Sequence, residues 1–177
     1  GPVLLCANHP SALADAVVLQ AVLPRQLHPI ARSGLFRNPL LRPLLALIGA
    51  VPVYRRQDDP AATARNADVF ERCYELLQAD GVILIFPEGK THADSHLRPF
   101  RTGAARIALG ALERNGRAPQ VLPVGLNFSD LGRFRGSVLV NIGAPLPVSL
   151  AAGEDAETAV QRLTQELRAG LERVTLN

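Results

Sequence analysis

Gly81-Val82-Ile83-Leu84-Ile85-Phe86-Pro87-Glu88-Gly89 reads as a strand running straight into a sharp loop. Val82 to Phe86 is apolar at every position and rich in β-branched residues. A strand of that kind is buried on both faces, as in the middle of a parallel sheet. Upstream, Asp58-Asp59-Pro60 is a strong helix start, since Asp satisfies free amides and Pro is tolerated in the first turn. The spacing of Val69, Phe70, Cys73, Leu76 and Leu77 predicts one apolar helix face up to about Ala79, with Gly81 ending the helix. Downstream, Pro87 to Pro99 is a polar loop, and Thr102 to Glu113 is small and apolar at helical spacing.

The same alternation extends outward. Val3 to Ala7 reads as a buried strand, and Ser11 to Leu23 as a helix with Ser11 as its N-cap. A short strand follows near Pro29 to Ala31. Gly34 to Gly49 is Leu-rich, with arginines at its rim, and Val51 to Tyr54 is strand-like. Val121 to Leu126 and Val138 to Ile142 read as strands, and Pro145 and Pro147 as a linker. Ala159, Leu163, Leu167, Leu171 and Val174 keep step along an amphipathic helix from Asp155 to Val174. Strands that alternate with helices predict an α/β fold with a largely parallel central sheet flanked by helices. Residues 1–177 read as a single domain without repeats. The chain starts Gly-Pro-Val and contains no Met, so we expect a fragment of a longer chain.

Composition narrows the function. Apolar residues at 47% with charged residues at 20% exclude a disordered chain. No uncharged apolar run is long enough to span a bilayer. A net charge of +3 with 5% aromatics does not suggest nucleic acid. Lys90 is the only lysine among 19 basic residues. Cys6 and Cys73, far apart in apolar surroundings, read as core residues rather than a disulfide or a metal site.

Chemistry concentrates in three segments. In Asn8-His9-Pro10-Ser11-Ala12-Leu13-Ala14-Asp15 a strand gives way to a helix, the edge of an α/β sheet where ligands bind. A carboxylate there can hold one imidazole nitrogen and leave the other to remove a proton from a hydroxyl. A Ser11 nucleophile is the rival chemistry, but the chain has no Gly-x-Ser-x-Gly elbow. In Phe86-Pro87-Glu88-Gly89-Lys90-Thr91-His92, Gly89 permits a close backbone approach and Glu88 can accept a hydrogen bond from a substrate hydroxyl. Lys90, His92, Arg98 and Arg101 follow, and Arg101 precedes a helix start suited to an anion. In Gly49-Ala50-Val51-Pro52-Val53-Tyr54-Arg55, Arg55 leaves the end of a strand.

Together these segments resemble the glycerolipid acyltransferases of PlsC type. Asn8, His9 and Asp15 are similar to that family's first motif, and Gly49, Pro52, Val53 and Arg55 to its second. Phe86-Pro87-Glu88-Gly89 matches the third in full, and Val121-Leu122-Pro123-Val124-Gly125 resembles the fourth. The resemblance runs from Val3 to about Gly143. Two departures stand out. Five residues separate His9 from Asp15 where four are usual, which would turn Asp15 by roughly 100° in a continuous helix. The extra residue must therefore be absorbed at the Pro10-Ser11 entry. After Glu88-Gly89, the usual Thr-Arg-Ser is replaced by Lys90-Thr91-His92, so Thr91 stands in place of the phosphate-binding Arg. Leu97 to Gly103 resembles the downstream segment of a branch that acylates glycerol phosphates.

The resemblance implies transfer of a fatty acyl group from acyl-CoA or acyl-carrier protein to a hydroxyl of glycerol-3-phosphate or a lysophospholipid. It implies His9 and Asp15 as the general-base pair, with Glu88 and Gly89 at the acceptor and Arg55, Lys90 or Arg101 on its phosphate. It implies no cofactor beyond the acyl thioester co-substrate, no metal, and no nucleic-acid partner. Membrane association at the cytoplasmic face is expected, and Gly34 to Gly49 with Arg32, Arg37 and Arg42 suits a bilayer interface. The alternatives are a non-catalytic lipid- or phosphate-binding domain and a thioesterase-like hydrolase using the same base on water.

Overall fold

The computed structural model describes residues 1–54, 66–92, 96–130 and 136–176. Its elements run β1 (Val3–Ala7), α1 (Leu13–Val22), β2 (Leu27–Arg32), a 3-10 turn (Ser33–Arg37), α2 (Leu41–Leu47) and β3 (Val51–Val53). They continue through α3 (Asn66–Gln78), β4 (Val82–Ile85), α4 (Gly103–Asn115), β5 (Gln120–Phe128), β6 (Val138–Ile142) and α5 (Ala156–Val174). The six strands form one sheet in the order β3-β2-β4-β1-β5-β6. All neighbours are parallel except β5 and β6. The expected α/β architecture is therefore present.

Period-two alternation sorts the core onto two faces. Leu4, Cys6 and Ile83 pack with Cys73 and Leu77 of α3, Ile107 and Ala108 of α4, and Leu163 and Leu167 of α5. Leu5, Ala7, Val82 and Leu84 face the other way and pack against Leu19 of α1. So the connection leaving β1 crosses one face and the connection leaving β4 crosses the other, although β1 and β4 are hydrogen-bonded neighbours. A crevice opens where adjacent parallel strands send their chains to opposite faces, and ligands bind there. The topology thus places the loops after β1 and β4 at one switch point.

Several local expectations shift. The N-cap of α1 is Ala12, not Ser11, and no side chain caps it. Gly81 does not provide the turn that ends α3; Asp80 does, with φ 59°. The amide of Asp80 donates to the carbonyl of Leu77 at 3.1 Å and that of Gly81 to Leu76 at 2.7 Å, the paired bonds of a Schellman ending. The Asp58-Asp59-Pro60 helix start lies outside the described residues. Asp155 caps α5 as its position suggests, accepting from the Thr158 amide at 2.9 Å. Pro123 sits inside β5, where its ring finds room because Gly143 and Gly170 oppose it without side chains.

Cys6 and Cys73 are free and buried. Burial pushes both thiols up, Cys73 to about 12, so each stays a neutral core residue.

Candidate functional site

Asp15 is the third residue of α1 and is fully buried, one helical turn before the core residue Leu19. Both lie on the stripe that α1 turns toward the sheet. An acidic side chain on such a stripe needs partners. Asp15 Oδ2 has two: His9 Nδ1 at 2.8 Å and the Ser11 amide, which donates at 2.9 Å. A carboxylate only accepts, so Nδ1 carries the proton and Nε2 keeps its lone pair. The His9 side chain is 18% exposed, so the ring is reachable. Phe86 stacks on it at 3.9 Å between centroids, with 17° between the planes. The ring is thus fixed by an acid on one edge and an aromatic face beneath.

The long His–Asp spacing is absorbed one residue later than expected. Ala12 takes φ 51° and ψ −119°, a backbone state that L residues rarely adopt. The Ala14 amide closes the turn on the Ser11 carbonyl at 3.1 Å. That reversal takes up the extra residue before the helix begins, and Asp15 still meets His9. Asn8 anchors the other side. Its amide group donates to the Leu126 carbonyl at 3.0 Å and accepts from the Leu126 amide at 2.7 Å, locking the end of β1 to β5.

The loop after β4 is built against this one. Phe86 to Gly89 is a tight turn in which the Gly89 amide donates to the Phe86 carbonyl at 3.0 Å. Gly89 has φ +69°, and a Cβ there would lie 2.7 Å from Arg101 Nε, so the Arg101 side chain crosses directly over it. The Arg101 amide donates to the Pro87 carbonyl at 2.8 Å, and the His92 amide to the His9 carbonyl at 3.2 Å. Glu88 turns inward. Its side chain is buried, with Oε2 bonded to His92 Nε2 and to the Arg98 amide at 2.8 Å. From α5, Arg168 reaches the carbonyls of Leu97 and Arg98 at 3.3 and 3.4 Å and lies 5.7 Å over the Phe100 ring.

The structure therefore brings His9, Glu88, Gly89 and Arg101 into two adjoining loops, with Asp15 beside them in the first turn of α1. Lys90 is exposed, and Arg55 lies outside the described residues. Sequence reasoning noted His92 without assigning it a task, and it did not find the Phe86 stack or the Asn8 clamp. Phe86, the aromatic residue between the end of β4 and Pro87, was the available signal for the stack.

A family model described as Acyltransferase matches residues 1–127, from β1 into β5. The chain belongs to this acyltransferase family. Glycerol-3-phosphate O-acyltransferase 1 of Saccharomyces cerevisiae is 31% identical over 123 residues, which is 66% of this chain and 16% of the yeast protein. The human 1-acyl-sn-glycerol-3-phosphate acyltransferase beta is 29% identical across 94% of this chain and 59% of its own length. The chain thus spans a minor part of the yeast relative and somewhat over half of the human one. The crystal structure of PlsC, a 1-acyl-sn-glycerophosphate acyltransferase from Thermotoga maritima, shares the fold. It superposes with a TM-score of 0.63 at 20% identity over 98% of this chain and 66% of that one. In this chain, β6 and α5 lie beyond the span that the family model matches.

Proposed function

We propose that the chain transfers a fatty acyl group from a thioester, acyl-CoA or acyl-carrier protein, to a hydroxyl of glycerol-3-phosphate or a lysophospholipid. The observation that carries this reading is the His9–Asp15 pair, bonded at 2.8 Å with the ring partly open, at the switch point of the sheet. Nε2 takes the acceptor's hydroxyl proton as the oxygen attacks the thioester carbonyl. The tetrahedral adduct then expels the thiolate, which recovers the proton from Nε2. Asp15 holds the tautomer and offsets the imidazolium charge between the two steps. No covalent enzyme intermediate is needed, because the thioester is already activated.

Arg101 is the strongest phosphate candidate, since its side chain lies over Gly89 and precedes the N-terminus of α4. Glu88 would accept from an acceptor hydroxyl. A membrane-surface reading has its own support in Leu40 and Leu47, which flank and close α2 at 83% and 77% exposure, beside Arg37 and Arg42. Among the described residues no helix is long and apolar enough to cross a membrane.

His9→Ala and Asp15→Asn, assayed with acyl-CoA and either acceptor, should each lose roughly 10²-fold or more in turnover. Turnover near that of the parent in either variant removes the base assignment. Free fatty acid without acylated acceptor assigns hydrolysis instead.

A further inference from the structure

Glu88 and His92 form a second histidine–carboxylate pair, four residues apart, with side chains 0% and 6% exposed. A buried carboxylate is stable only when donors meet it. Here both donors converge on one oxygen: Oε2 accepts from His92 Nε2 and from the Arg98 amide at 2.8 Å. The other oxygen, Oε1, is buried and has no hydrogen-bond partner among the described residues. His92 also acts through its backbone, donating its amide to the His9 carbonyl at 3.2 Å. One residue thus grips the carboxylate of one loop and the peptide of the other. The imidazole of His92 spans the four-residue gap to Glu88 with a rigid planar donor.

We propose that His92 is a positioning residue for the acceptor. It occupies Oε2 and fixes the Glu88 rotamer, so that Oε1 is kept for a donor brought by the ligand, such as an acceptor hydroxyl. It also ties that oxygen to the base through the His9 peptide. The inference rests on the proposed acyl transfer and deepens its acceptor side.

The experiment uses palmitoyl-CoA with glycerol-3-phosphate and with a 1-acylglycerol-3-phosphate as acceptor probes. His92→Phe should raise the acceptor KM about tenfold or more while leaving the acyl-CoA KM within about twofold, because only acceptor contacts pass through Glu88. His92→Gln, which keeps an N–H donor, should recover most of the loss. The double variant His92→Phe/Glu88→Gln should be no worse than Glu88→Gln alone, since the two residues act as one unit. If the Phe variant does not fold, His92→Ser replaces it with the same expectations. An unchanged acceptor KM overturns the proposal, as does a fall in kcat alone or a double variant whose losses multiply. His9→Ala is measured alongside. If it is inactive while His92→Phe keeps the parent acceptor KM, the positioning role fails and the base reading stands. If His9→Ala retains turnover, the base reading fails first.

Discussion

Ala12 is the residue on which the catalytic geometry turns. Its φ of 51° and ψ of −119° lie in a sparsely populated region where a Cβ is crowded, at a cost of roughly 1–3 kcal/mol for an L residue. Glycine removes that cost and restores about 0.5–1 kcal/mol of chain entropy to the unfolded state. We therefore expect Ala12→Gly to raise the melting temperature slightly with activity retained, and Ala12→Val to lower it, because a β-branched residue tolerates this region worst. Thermal melts of the two variants check this; a stabilised Val variant would show that the turn has another shape. Asp15 is legible at the same scale: a carboxylate on the inward stripe of an otherwise apolar helix signals a partner. Its distance to His9 is not legible, because an added residue can rotate it away or vanish into one left-handed turn, and sequence spacing does not distinguish the two.

At the scale of elements, the Pro-containing segment Val121 to Gly125 shows its task only against α5. A Cβ on Gly125 would lie 2.0 Å from the carbonyl of Val174, and Pro123 rests on Gly143 and Gly170. Asn127 and Asn141 donate to that same Val174 carbonyl, each at 3.1 Å, finishing the helix in place of solvent. Gly125→Ala must push α5 from β5, and should cost on the order of 1–3 kcal/mol in urea unfolding, with loss of the α5 contacts. Unchanged stability would mean that the helix end does not bear on the strand. The periodicity of α5 and β4 was readable because each buries a continuous face. The N-cap of α1 and the end of α3 differ from the reading of the sequence for separate reasons: the Ala14 amide closes on the Ser11 carbonyl instead of on a side chain, and Asp80 takes the positive-φ position expected of Gly81.

At the scale of the whole molecule, α3, α4 and α5 cover one face of the sheet. On the other, α1 presents Leu13 and Val17 outward, and α2 with the residue before it presents Leu40, Leu44 and Leu47. The right-handed crossover rule sets α1 and α2 on the same face, since β1 to β2 and β2 to β3 step in one direction. Apolar side chains beside Arg37 and Arg42 in the chain fit the interfacial reading. The chain should float with anionic vesicles at low salt, and Leu40→Asp/Leu47→Asp should abolish flotation while secondary structure by circular dichroism is kept. No flotation of the parent chain would end the interfacial role of this face. At the same scale, Arg168 of α5 braces the Leu97–Arg98 carbonyls behind Glu88, so a helix near the end of the chain steadies a loop near its middle.

What the sequence determined by itself was local: the apolar runs, the helix periods, and the residue types that can move a proton or hold an anion. Those depend on side-chain chemistry and on neighbours a few positions away. Tertiary structure decided which of them meet. Opposite crossovers from adjacent strands put His9 beside the Glu88 loop, a strained turn restored the His9–Asp15 contact, and burial turned Glu88 toward His92. Each rests on contacts between residues far apart along the chain, or on a backbone state that no residue type specifies.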